Sequence, residues 1–114
     1  MIKRSSIHDS LEYGEKGPKI SVLMETEFTK EIRILFKKGQ EMKEHKTAYP
    51  IVIEIVEGEI NFGVQGNLEY LEKGSLISLQ GGIPHNLLAQ KDSIVRLTLS
   101  TQDEFKRVQE LGEK

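Results

Sequence analysis

The chain contains no cysteine. Disulfides, thiolate nucleophiles and cysteine-based zinc sites are therefore excluded. No apolar run approaches the roughly 20 residues that a membrane-spanning helix needs. The opening Met1-Ile2-Lys3-Arg4-Ser5-Ser6 leads into no apolar core of a secretory signal. Concentrated charge of one sign is also missing: 16 basic and 18 acidic residues alternate along the chain and leave a net charge of -2. The longest basic runs, Lys3-Arg4 and Lys37-Lys38, are too short to track a phosphate backbone, which sets nucleic acid aside as a partner. There is no internal repeat, no low-complexity tract, no G-x-S-x-G elbow, no Walker loop and no H-E-x-x-H. What these absences leave is one domain of 114 residues, expected to be cytoplasmic with no membrane partner.

What is present is a series of short strand-like runs separated by glycine turns. Ile32, Ile34 and Phe36 alternate with Arg33 and Lys37, as on a half-buried strand. Ile51 to Val56 is rich in β-branched residues, and Glu57-Gly58 turns into Ile60, Phe62 and Val64. Gly66-Asn67 is a two-residue hairpin signal leading into Leu68 to Leu71. Lys73-Gly74 turns into Leu76 to Leu79, Gly81-Gly82-Ile83-Pro84 reads as a loop, and His85 to Ala89 and Ile94 to Leu99 follow as strands. Gly39, Gly58, Gly74 and Gly82 read as turn residues with positive φ. Regularly spaced short strands with turn signals imply a sandwich or barrel.

Helix signals are confined to the C-terminus. Thr101-Gln102-Asp103-Glu104 has capping-box spacing, Phe105, Val108 and Leu111 share one face, and Gly112 can end the helix. The chain thus divides into an N-terminal arm over 1–28, a barrel over 29–100 and a C-terminal helix over 101–114. Within the arm, Ile7 to Leu11 reads as extended chain or a short helix, with His8 solvated.

Two segments resemble the cupin family. Its first motif is G-x5-H-x-H-x(3,4)-E-x6-G, and this chain offers Gly39, His45-Lys46-Thr47, Ile51 and Gly58. The second is G-x5-P-x-G-x2-H-x3-N, and Gly74, Gly82 and His85 match it, with Gln80 in place of the proline and Ala89 in place of the asparagine. The resemblance covers residues 30 to 100. It implies an all-β, double-stranded β-helix or jelly-roll barrel with the C-terminal helix appended, and commonly a homodimer joined through sheet faces such as that of Val52 and Val56.

In metal-binding members of that family three histidines and a glutamate hold a first-row metal inside the barrel. Here Thr47 and Ile51 replace one histidine and the glutamate. With regular pairing, residues 45, 47, 51, 53 and 55 share one phase and Glu54 takes the other, so Glu54 is a poor replacement carboxylate. Only His45 and His85 remain as candidate metal ligands, so the expectation is no metal or a weakly bound divalent transition metal, unless Glu41 or Glu44 supplies an oxygen.

Three functions follow as expectations. The first is a small-molecule binding module with a pocket of His45, Thr47, Ile51, Gln80 and His85. The second is a metal-dependent enzyme of dioxygenase or isomerase type with an incomplete two-histidine site. The third is a dimerisation platform whose barrel is filled by side chains, with the histidines serving only to tie strands together.

Overall fold

A computed structural model of the chain describes residues 1–101 and 111–112. Nine strands follow in order: β1 (Lys19–Glu25), β2 (Thr29–Phe36), β3 (Glu41–His45), β4 (Ile51–Glu57), β5 (Glu59–Val64), β6 (Asn67–Glu72), β7 (Leu76–Leu79), β8 (His85–Ala89) and β9 (Ser93–Ser100). They form two antiparallel sheets, in the orders β1-β2-β9-β4-β7 and β3-β8-β5-β6. The helix expected over 101–114 lies mostly outside the described residues, and the described ones, Thr101, Leu111 and Gly112, form turns or a bend.

Alternation of side chains builds the core between the two sheets. On β4, Ile51, Ile53 and Ile55 point inward and are buried, while Val52 and Glu54 face out. On β9, Val95, Leu97 and Leu99 do the same, opposite Arg96 and Thr98. Phe36 and Phe62 are fully buried among them. Glu54 ends on the outward face, where Arg96 bridges it at 3.0 Å to Glu31 at 2.8 Å.

The turns follow the sequence closely, with one shift. Gly39, Gly58, Gly74 and Gly82 all have positive φ. The β5–β6 hairpin is closed by Gln65-Gly66 rather than Gly66-Asn67, because Gln65 itself adopts φ 51° beside Gly66 at 79°. Two positive φ values in a two-residue loop match the right-handed twist of the flanking strands, and this moves the expected turn by one residue. Gly58 also has no room for a side chain, since a Cβ there would overlap Ser93 and the carbonyl of Asp92.

The stretch 1–28, read as an arm, contains the edge strand β1, which pairs along β2 with a bulge between Val22 and Met24. The run Lys-Ile-Ser-Val-Leu-Met-Glu lacks clean alternation because the bulge breaks its phase. The first 18 residues form turns and extended chain without a helix, and His8 is exposed. Arg33 fastens this arm. Its guanidinium donates from Nη1 to the carbonyls of Ile7 (3.1 Å) and Asp9, and from Nη2 to that of Ser10 (3.1 Å). Gln40 adds a bond from Nε2 to the Gly14 carbonyl at 2.7 Å. Leu35 and Ile94, partners across β2 and β9, share the outward phase of Arg33 and are nonetheless buried. Covering them lets an outward-facing pair contribute to stability, at roughly 1.5–3 kcal/mol for each side chain removed from water.

Substituting Arg33→Ala removes three charge-assisted bonds and should lower unfolding free energy by roughly 2–4 kcal/mol. Urea unfolding checks the loss, and trypsin should now cut rapidly after Lys16. Unchanged stability with an arm that still resists trypsin would show that Arg33 does not fasten it.

Candidate functional site

The site is built by one cross-strand pair. β3 and β8 are antiparallel neighbours, and His45 lies directly opposite His85. The register slips between Met42 and His45, so both side chains face the interior although they are three residues apart. Without that irregularity a strand's alternation would send one of them outward. Their ring centroids are 4.3 Å apart and edge-on, with an interplanar angle of 63°. On the far side of His85 the ring of Phe62 stacks at 5.5 Å.

Each imidazole is fixed by the backbone two residues before it. Nδ1 of His45 lies 2.7 Å from the Lys43 carbonyl, and Nδ1 of His85 lies 3.0 Å from that of Ile83. A carbonyl can only accept, so Nδ1 carries the proton in both rings. Burial lowers both histidine pKa values below the usual 6.5, only partly offset by those carbonyl bonds, and His45 lowers that of His85 further. The rings are thus neutral at pH 7, and each offers a lone pair at Nε2. The bonds that fix the rings involve Nδ1 alone, and no protein hydrogen bond to either Nε2 is found among the described residues.

The surroundings are apolar. Ile34, Met42, Thr47, Ile51, Ile53, Leu87 and Leu97 complete the lining of a cavity of about 10 Å³. That is room for about one water. Four of the five expected pocket residues, His45, Thr47, Ile51 and His85, line this cavity. Gln80 does not: it is exposed at the end of β7. Thr47 and Ile51 reach the cavity by a different path from the one expected. β3 ends at His45 and β4 begins at Ile51 in the other sheet, so the segment 46–50 crosses between sheets rather than continuing one strand.

As a metal centre the donor set falls short. His45 and His85 bring two neutral nitrogens and no carboxylate. Glu41 and Glu44 are exposed, and among the described residues no group of three or more His, Asp or Glu is placed to hold an ion. Catalytic sites normally supply three protein ligands and leave an open position. The strand alternation around Met42 carries Glu41 to the outer face, paired in register with Leu88.

Sequence reasoning missed the lacing over this cavity. Gly82 N–H donates to the Thr47 carbonyl at 2.8 Å, and the Thr47 hydroxyl donates to the Tyr49 carbonyl at 2.9 Å. The paired glycines at 81 and 82 were the available signal, since such a pair often marks close backbone approach.

No family model and no curated protein matches the chain. Solved structures do. An RmlC-like cupin from Desulfovibrio desulfuricans superposes with a TM-score of 0.78 at 22% identity, over 88% of this chain and 97% of that one. An RmlC-like cupin from Shewanella frigidimarina gives 0.74 at 24% identity, over 87% and 91%. KdgF from Halomonas sp. gives 0.70 at 19% identity, over 83% and 92%. The chain has the cupin fold, as the two motifs implied. No helix among the described residues is long and apolar enough to cross a membrane.

The depressed histidine pKa values set the pH response. The folded state binds fewer protons than the unfolded chain wherever pH lies below about 6.5. Stability is therefore full above the unfolded value and falls as pH drops through the folded one. Calorimetric melts between pH 7.5 and pH 4.5 should show a falling Tm, and the double variant His45→Gln/His85→Gln should flatten the part below pH 6.5. An identical pH profile in that variant would contradict the assignment.

Proposed function

We propose that this protein binds a small, largely apolar molecule carrying a hydrogen-bond donor, at the inner end of the barrel over Nε2 of His45 and His85. The observation that supports the reading is the pair of fixed, neutral imidazoles turned toward an apolar cavity with no protein donor for either lone pair. His85 is only 2% exposed, so its Nε2 has little access to bulk water. Histidines that merely tied strands together would spend both nitrogens on the protein. A cavity of about 10 Å³ fits the ligand's donor group at most. The body of the ligand lies toward half-exposed His45, or enters as the interior opens.

No catalytic step is assigned, and a divalent ion at the same two nitrogens is a weaker reading for want of a carboxylate. The same account takes the protein as a cytoplasmic homodimer, a state favoured by exposed Val52 and Leu76 on the outer face of the five-stranded sheet. Val56, named with Val52 as a dimer-face residue, is half-buried.

Thermal melts with phenol as donor probe, and separately with Zn²⁺ or Ni²⁺, test the proposal. A ligand at ten times its Kd adds about 1.4 kcal/mol, which raises Tm by roughly 5–10 °C for a domain of this size. Phenol should stabilise the wild type and leave His85→Phe unmoved. No shift with phenol, or equal shifts in both proteins, refutes donor recognition, and stabilisation by the metal alone transfers the site to ion binding.

A further inference from the structure

We propose that Thr47, which stands where the cupin motif has its second histidine, is the latch of a gate that controls access to His85. This rests on the reading of the histidine pair as a binding site, and it concerns the two segments that cross the barrel mouth, 46–50 and 80–84. They meet at Thr47. Its carbonyl accepts the Gly82 N–H at 2.8 Å, while its hydroxyl donates to the Tyr49 carbonyl at 2.9 Å and curls its own segment inward. Thr47 is 6% exposed and lines the cavity, whereas Lys46, Ala48 and Tyr49 around it are exposed. The latch is thus a buried point on an otherwise solvated crossing.

The fit between the segments depends on Gly81. A Cβ there would overlap the Ala48 carbonyl oxygen and lie 3.1 Å from the Tyr49 carbonyl carbon, so no other residue lets the two backbones touch. The gate is also coupled to the site beneath it. Ile83, next to Gly82, supplies the carbonyl that holds Nδ1–H of His85. Lifting 80–84 from Thr47 displaces the acceptor that orients His85 as it uncovers the ring.

One backbone bond is a light closure. The walls of the barrel, by contrast, are continuous ladders: β2 pairs with β9 over eight residues and β5 with β8 over five. Opening at the mouth breaks one backbone bond between the segments, where opening a wall breaks several. A cavity of about 10 Å³ lined by both histidines therefore opens most cheaply here. A histidine lost from the metal set has, in this reading, been replaced by a residue that shuts the pocket.

Chemical labelling of the three histidines by diethyl pyrocarbonate, followed by peptide mass spectrometry, tests the gate without knowledge of the ligand. His8 is exposed and serves as the internal standard. In the wild type His8 should react quickly and His85 slowly. Gly81→Ala should speed His85 about tenfold, the effect of losing one backbone bond from the closed state, with His8 unchanged. Thr47→Val should speed it by a smaller factor, because it removes the hydroxyl bond and keeps the carbonyl. Gly58→Ala, which overfills the turn at the opposite end of β4, controls for general loosening and should leave His85 slow. The gate is refuted if His85 keeps pace with His8 in the wild type, or if Gly81→Ala accelerates it no more than Gly58→Ala does. If the gate opens as described and phenol still fails to stabilise the protein, the binding reading falls and the gate stands.

Discussion

Two short bonds between imidazole Nδ1–H groups and backbone carbonyls carry the rest of this account. They hold His45 at Lys43 and His85 at Ile83, and they do so inside a cavity where charge is disfavoured. A neutral ring with its proton committed at Nδ1 has one chemistry left, that of an acceptor at Nε2. Fixing the tautomer by a neighbouring carbonyl is what metal-bound histidines also require. The same geometry keeps the two rings ordered.

The barrel supports that arrangement by being almost full. Isoleucines of β4 and leucines of β9 press on the pair from the other sheet, and Phe62 stacks on His85 from its own. Dense packing makes ring orientation precise and leaves nowhere for a ligand to rest in the closed state. In the proposed reading binding and rigidity are in tension, and that tension falls on the mouth, where glycines and one backbone bond hold two segments together. The arm, by contrast, is held by three bonds from Arg33 to the carbonyls of Ile7, Asp9 and Ser10.

Much of this was legible in the residues. The inward isoleucines of 51–55, the turn at Gly58 and the outward phase of Glu54 all follow from alternation and turn chemistry. The motif spacing also brought His45 and His85 together, and the two rings meet in one cavity. What stayed hidden depends on register and on contacts between distant segments. A slip in β3 puts both Met42 and His45 inside, and no local pattern announces it. The bulge in β1 disguised a strand as an arm. Arg33 read as an ordinary outward residue, because its three acceptors lie 23 to 26 residues earlier in the chain. Gln80 was carried into the pocket by motif spacing alone and proves exposed. The volume of the cavity is a property of side chains packed from two sheets, and no spacing in the sequence encodes it.

The central claim is that both cavity-lining rings are neutral, protonated at Nδ1 and free at Nε2. Long-range ¹H–¹⁵N correlation spectra of the imidazole nitrogens at pH 7 measure this directly. The account predicts two rings with the Nδ1–H pattern, assigned to His45 and His85 by loss of each signal in His45→Gln and His85→Gln. Protonation at Nε2 in either of these rings, or a charged imidazolium at that pH, would contradict it.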